Sequence, residues 1–289
     1  MLQEISPLQF DNSFHPRAPQ PEDLVLCCNG DNVLVGQGDA LALPRAADVT
    51  GAAFTFLFTV GGQDIFLAHT LAPVMMPGFA YQPLSSLRRA QPKALAFAAA
   101  TGHQLYRWYR MRAHCGVCGT KTAPSLTERA LVCPQCGHIE YPNIMPAVIV
   151  GIIDRDRLLL TRYANRPATN WALVAGYAEI GEPLEDTVRR ETWEEVGLRL
   201  GTISYYRSQP WPFSGSLLMG FYAQLEGSDQ ILLNDGELAQ AVWTPRESID
   251  IPFEDVSLTN EMICRFHWEG ENVLNPARDA RPFREILLT

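Results

Sequence analysis

Gly176-Tyr177-Ala178-Glu179-Ile180-Gly181-Glu182-Pro183-Leu184-Glu185-Asp186-Thr187-Val188-Arg189-Arg190-Glu191-Thr192-Trp193-Glu194-Glu195-Val196-Gly197-Leu198 is the stretch on which the reading of this chain turns. Pro183 suits a helix start and Gly197 the position just past an end, so the spacing predicts a helix over Pro183–Val196. At about 100° per residue, Leu184 and Val188 share a face with Glu191 and Glu195, and Glu194 lies on the flank of that face. The carboxylates therefore continue an apolar stripe. An acidic run is ordinarily a wet surface. Here that reading would stack like charges at i, i+4 on the core side, which is destabilising unless a cation compensates. Carboxylates clustered in this way suit Mg2+ or Mn2+, which take carboxylate, water and substrate phosphate oxygens as ligands.

Upstream, the pattern changes several times. Ala147–Ile153 is a continuous apolar run typical of a buried strand, and Leu158–Thr161 reads as its hairpin partner. Before them come two C-x-x-C pairs, Cys115/Cys118 and Cys133/Cys136, with fourteen residues between. Each pair closes a knuckle that points two thiolates to one place, and Gly116, Gly119 and Gly137 let the backbone turn there. Four thiolates complete a closed tetrahedron, the structural kind of zinc site. His114 and His138 flank the cysteines as alternative donors, but the four cysteines already saturate zinc. Further back, an Ala-rich segment from about Lys93 to Met111 has helical spacing. The first hundred or so residues alternate short apolar runs (Leu24–Cys28, Asn32–Val35, Ala52–Val60, Asp64–Ala68) with Gly, Pro and Asp/Asn turns, as in a β-rich domain.

Downstream, Ser208–Met219 contains Gln209-Pro210-Trp211-Pro212-Phe213. Prolines stiffen the backbone of such a loop, and the Trp and Phe held by it offer flat surfaces to a planar ligand; the plain alternative is a loop closing over the core. A helix-cap role for Thr259 and a surface role for Arg88 are likewise the plain readings of those two residues.

The 289 residues are 47% hydrophobic, enough to bury a core and to divide into more than one domain. The expected division is an N-terminal β-rich domain with a connecting helix over 1–110, a zinc ribbon over 111–142 and a mixed α/β region over 143–289. Net charge is −9, which argues against non-specific nucleic-acid binding through bulk charge while leaving a local basic groove open. Seven cysteines are an odd number, against a complete disulfide framework; Cys27, Cys28 and Cys264 read as reduced packing residues. No secretory signal or membrane span is legible, so a soluble cytoplasmic protein is expected.

The acidic stretch resembles the Nudix box, G-x5-E-x7-R-E-U-x-E-E-x-G-U with U a bulky aliphatic residue. Gly176, Glu182, Arg190, Glu191, Glu194, Glu195, Gly197 and Leu198 match it, and Thr192 departs from an aliphatic position. Ser208–Ser216 is similar to the SQPWPFPxS signature of the NADH pyrophosphatases among the Nudix hydrolases, with Ser214 in place of the third proline and Asn143 where many members carry Arg. The zinc ribbon and Tyr141-Pro142 belong to the same resemblance. It implies an α+β chain ending in a Nudix α/β/α sandwich, and hydrolysis of NAD(H) to NMN(H) and AMP or removal of an NAD cap from RNA. It implies Glu191, Glu194, Glu195, Glu237 and the carbonyl of Ala175 as Mg2+ or Mn2+ ligands, with Glu195 orienting or deprotonating the attacking water and Arg190 fixing the glutamates. Substrate contacts would come from Tyr177, Gln209, Pro210, Trp211, Pro212, Phe213, Ser214, Gly215 and Ser216, and from Tyr141, Glu128, Arg88 and Thr259. A homodimer is also implied. Two competing readings stand beside it: a Nudix hydrolase for another nucleoside diphosphate derivative such as ADP-ribose, and a nucleic-acid-binding zinc ribbon with an inactive Nudix domain.

Overall fold

The computed structural model describes residues 1–164, 171–233 and 236–275, so the last part of the region read as mixed α/β lies outside the described residues. The chain divides into two compact units, one of residues 2–144 with 212–215, the other of Met1, 145–211 and 216 onward.

In the first unit the apolar runs form β1 (Phe10–Asp11), β2 (Leu24–Leu26), β3 (Cys28–Asn29), β4 (Asn32–Gly36), β5 (Ala53–Val60), β6 (Gln63–His69) and β7 (Phe79–Pro83). They pair into two small sheets, β1-β5-β6-β2 and β3-β4-β7. Period-two alternation sends Leu26 and Val25 to different sides. Leu26 packs with Leu57, Phe58 and Leu67, whereas Val25 joins Cys27, Leu34, Phe56 and Phe66. The predicted helix is α1 (Lys93–Met111), whose small residues Ala96, Ala98, Ala99 and Ala100 let it lie close on the Leu26 side. Gly102 marks the closest approach: a Cβ there would come within 2.9 Å of Leu26 Cδ2. Beyond α1 the ribbon has only β8 (Ala123–Pro124), β9 (Leu131–Val132) and β10 (Ile139–Glu140), ordered β10-β9-β8.

The second unit is an α/β/α sandwich. Its strands are β11 (Met145–Asp154), β12 (Arg157–Tyr163) and β13 (Val174–Tyr177), then β14 (Arg199–Trp211), β15 (Ser216–Glu226) and β16 (Leu238–Pro245) after helix α2 (Leu184–Val196); α3 (Leu258–Glu269) follows. The order is β14-β15-β11-β12-β16, with β13 pairing β11 as well. β11 runs parallel to β15 and antiparallel to β12 and β13. Alternation along β11 builds both cores. Val148, Val150 and Ile152 pack with Val188 and Val196 of α2, while Ile149 and Ile153 pack with Leu258, Met262 and Phe266 of α3. Each fully buried aliphatic side chain of this kind contributes roughly 1.5–3 kcal/mol.

The structure differs from the sequence reading at the Gln209–Phe213 segment. Ser208–Trp211 ends β14 and Ser216 opens β15, so only residues 212–215 form the expected loop. Pro210 is tolerated in a strand because β14 lies at the sheet edge, where a missing N–H breaks no ladder on the open side. No helix among the described residues is long and apolar enough to cross a membrane.

Candidate active site

Helix α2 begins one residue later than predicted, with Pro183 as the capping residue in extended conformation and Glu185 and Asp186 in the first turn, the end that favours negative charge. It stops at Gly197, whose φ of 68° is the left-handed conformation that glycine adopts without strain and whose N–H reaches Trp193 O at 3.0 Å. Between these ends the expected stripe is realised. Val188 and Val196 are fully buried, Glu195 is 2% exposed, Glu191 is half-buried, and Glu194 faces solvent.

Arg190 gathers the carboxylates. Its Nε and Nη2 donate to the two oxygens of Glu182 at 2.8 and 2.9 Å, a bidentate pair, and Nη1 donates to Glu191 Oε1 at 2.8 Å and Glu194 Oε2 at 2.9 Å. Nη2 also donates to the carbonyl of Tyr177 at 2.9 Å, tying the helix to the end of β13. Glu182 accepts further hydrogen bonds from the Thr187 hydroxyl at 2.8 Å and the Glu179 N–H at 3.1 Å. The Arg190 guanidinium first, then these neutral donors, bring the Glu182 carboxyl down to about 2. Glu191 goes the other way. Burial pushes its carboxyl up, Arg190 opposes this, and the nearby charges of Glu194 and Glu237 push it up further. That long-range effect brings Glu237, an exposed residue just before β16, into the electrostatic neighbourhood of the helix.

Gly176 explains how Glu191 is seated. A Cβ built on Gly176 would lie 1.9 Å from Glu191 Cδ, so the carboxyl occupies the space a side chain would need. It stands over the backbone of β13 immediately after Ala175. The donor set of Glu191, Glu194, Glu195, Glu237 and the Ala175 carbonyl is all hard oxygen, and the Glu191 carboxyl sits directly on the backbone of β13 while sharing Arg190 with Glu194; these residues as a set would suit Mg2+ or Mn2+. They are not drawn together as the cysteines are. Among the described residues only Cys115, Cys118, Cys133 and Cys136 have ligand atoms all within 4.8 Å of one another. Cys115 Sγ and Cys136 Sγ are 3.7 Å apart, Cys118 Sγ and Cys133 Sγ 3.4 Å. Four sulfurs around a tetrahedral zinc stand about 3.8 Å apart at the usual Zn–S length, so the four fit a structural zinc. Gly119 and Gly137, both at φ 74°, close the two knuckles with N–H bonds to Cys115 O at 2.9 Å and Cys133 O at 3.0 Å.

The Ser208–Ser216 residues separate by position. Gln209 is fully buried. Its Nε2 donates to Val256 O at 2.8 Å and its Oε1 accepts from the Leu258 N–H at 2.7 Å, so its carboxamide clasps the backbone at the start of α3. Pro210 is exposed and Trp211 half-buried, the latter paired in register with Ser216, whose hydroxyl lies 3.3 Å from Tyr177 Oη. Pro212, Phe213, Ser214 and Gly215 form the turn, with Gly215 at φ 75°. Within the first unit Arg88 stands over the Phe213 ring at 5.8 Å, Phe213 O accepts from Arg107 Nη1 at 3.5 Å, and Tyr141 Oη donates to Glu128 at 3.2 Å to either oxygen. Thr259 is half-buried in the first turn of α3; the cap is Ser257, which accepts from the Asn260 N–H. Sequence reasoning gave no role to Thr187 or Arg107. The first could have been sought as a donor five residues beyond a loop carboxylate; nothing local marks the second.

Comparison with known proteins matches residues 143–266 to the NUDIX domain and residues 113–141 to the NADH pyrophosphatase zinc ribbon domain. An NAD-capped RNA hydrolase NudC of Chromobacterium violaceum is 35% identical over 233 residues, 79% of this chain and 86% of that protein. Proteins of the same name from Shigella flexneri and Salmonella heidelberg are 40% and 39% identical over 145 and 153 residues, spanning 56% and 59% of their own lengths. With the box, the ribbon and the Ser208–Ser216 hairpin all in one chain at this identity, the chain belongs to the NADH pyrophosphatase branch of the Nudix hydrolases.

Proposed function

We propose that this protein hydrolyses the pyrophosphate bond of NAD(H) to NMN(H) and AMP, and removes NAD caps from RNA by the same cleavage. The observation that carries the reading is the pair Gly176-Tyr177. Gly176 receives the carboxyl of Glu191, while Tyr177 has its carbonyl held by Arg190 and its hydroxyl beside Ser216. Two adjacent residues thus join the phosphate-handling carboxylates to the aromatic hairpin suited to a planar ring. Bound at Glu191, Glu194, Glu195, Glu237 and the Ala175 carbonyl, Mg2+ or Mn2+ supplies charge neutralisation on the phosphoryl oxygens and a lower pKa for water. Arg190 holds the rotamers of Glu191 and Glu194 ready for that task. Glu195, buried and on the core side of α2, orients or deprotonates the attacking water.

The same reading takes residues 1–110, 111–142 and 143–289 as the N-terminal, ribbon and hydrolase parts, and the protein as a cytoplasmic homodimer. Tyr177, Trp211, Phe213, Ser214, Tyr141, Glu128, Arg88 and Thr259 are its substrate-side residues, and Gln209, bonded to Val256 and Leu258, holds the start of α3 where Thr259 stands.

The test is chromatographic product analysis with NAD+, NADH, ADP-ribose and NAD-capped RNA, each with Mg2+ or Mn2+, comparing the wild-type protein with Glu195→Gln. NMN and AMP are expected from the dinucleotide, with turnover reduced about 10²–10⁴-fold in the variant. Preference for ADP-ribose over NAD(H), or an undiminished Glu195→Gln enzyme, would overturn the assignment.

A further inference from the structure

The net charge of −9 is unevenly distributed. Between Asp64 and Glu128 there is no acidic residue at all, while the same stretch carries seven Lys or Arg side chains, which leaves the remainder of the chain at −16. A basic helix that merely faces solvent normally interleaves carboxylates at i±3 or i±4, because those pairs stabilise it and like charges at the same spacing do not. Here α1 sets Arg107 and Arg110 at i, i+3 with no carboxylate in the helix to relieve them. Arg112 is already paired with Glu140, Nε to Oε1 at 3.0 Å. Arg107, Arg110 and Lys121 make no ion pair with any carboxylate among the described residues; Arg110 and Lys121 are exposed, and Lys121 is bridged to His114 just beyond the end of α1.

A second observation ties this surface to an aromatic group. Arg107 reaches the carbonyl of Phe213, and Arg88, also in the acid-free stretch, stands over its ring. Guanidinium groups beside an aromatic ring, together with further exposed positive charges, are the components with which proteins hold single-stranded nucleic acid. A free dinucleotide has a single pyrophosphate and so leaves no further phosphate for exposed cations such as Arg110 and Lys121 to neutralise.

We infer that the positive charges at the C-terminal end of α1 and the start of the ribbon hold the sugar–phosphate chain of single-stranded RNA beyond its cap, with Arg107, Arg110 and Lys121 contacting phosphates. The inference rests on the reading of the protein as a cap hydrolase, and it deepens that reading by separating cap chemistry from RNA binding. A generally acidic protein repels a polyanion, so the RNA body needs a local region of opposite sign.

The experiment measures binding of a short, uncapped 5′-monophosphate single-stranded RNA to the full zinc-loaded chain by fluorescence anisotropy across a salt series. The wild type is compared with Arg110→Gln/Lys121→Gln and with the charge-keeping Arg110→Lys/Lys121→Arg. Turnover of free NAD+ is followed in all three as a check on folding and chemistry. The expected result is several-fold weaker RNA binding for the neutralised variant, with the slope of log K against log salt shallower by about 1.4, at about 0.7 for each phosphate no longer neutralised. The charge-keeping variant should restore both, and free NAD+ should be cleaved equally by all. An unchanged affinity and slope in the neutralised variant, or a wild type that does not bind uncapped RNA at low salt, overturns the inference. A wild type that binds RNA but leaves NAD+ intact would instead count against the cap-hydrolase reading and leave the RNA surface standing.

Discussion

Thr192 is the box residue that departs from the aliphatic pattern, and its surroundings give the departure a cost. It lies on α2 four residues from both Val188 and Val196, and like them it is fully buried. Its hydroxyl makes no hydrogen bond among the described residues. A buried, unsatisfied polar group costs about 1–3 kcal/mol, whereas valine has nearly the same shape and needs no partner. Thr192→Val is therefore expected to stabilise the protein by about 1 kcal/mol, raising the urea midpoint with an unchanged m-value and leaving kcat on NAD(H) alone. A lowered midpoint would mean that the hydroxyl is bonded in solution. Arg190 and Glu182, on the same helix and its approach, are the contrast. Their charges cost little to hold, because every oxygen of Glu182 has a donor and the arginine has five acceptor oxygens within 2.9 Å.

Between elements, the decisive contacts are those that no local pattern records. The box helix and the two cysteine knuckles were legible because their information lies within short spacings, 3.6-residue periodicity in one case and C-x-x-C in the other. α1 was read at its observed limits for the same reason. By contrast, the parallel pairing of β11 with β15 joins Ala147 to Leu218, and the clasp of Gln209 on Val256 and Leu258 spans almost fifty residues. A sequence period can place Gln209 on a strand face but cannot name what it touches, which is why it was read from resemblance as a substrate contact. Buried and bonded at both ends of its carboxamide, it couples β14 to the first turn of α3, where Thr259 stands. Gln209→Leu keeps the bulk but strands a carbonyl and an N–H inside the protein, at an expected cost of about 3 kcal/mol. The measurement is chemical denaturation together with a KM and kcat determination on NAD(H). Full stability with only KM raised would return Gln209 to the role of a surface contact.

At the scale of the whole molecule, the parts differ in what can hold them together. The β11–β16 sandwich has two apolar layers, one under α2 and one under α3, and its long central strand is buried on both faces. The paired sheets of the first unit likewise share clusters around Leu26 and Val25. The ribbon has no comparable resource. Its three strands are two residues each, and from 113 to 141 the buried apolar side chains besides Cys115 and Cys133 are Ala130 and Leu131. Apolar burial on that scale cannot offset the entropy of ordering some thirty residues at about 1–2 kcal/mol each. Zinc bonds to the four thiolates are the only adequate counterweight, and binding energy at such a site is folding energy. Chelation should therefore act locally. Hydrogen exchange followed by mass spectrometry, before and after zinc removal, is expected to show amide protection lost across 113–141 and retained in β11 and β15. Restoring Zn2+ should restore it, and Cys133→Ser should resemble the chelated protein. Protection that persists in 113–141 after the metal is gone would mean that the ribbon folds on packing alone, while simultaneous loss in β11 and β15 would mean that the metal supports the sandwich as well.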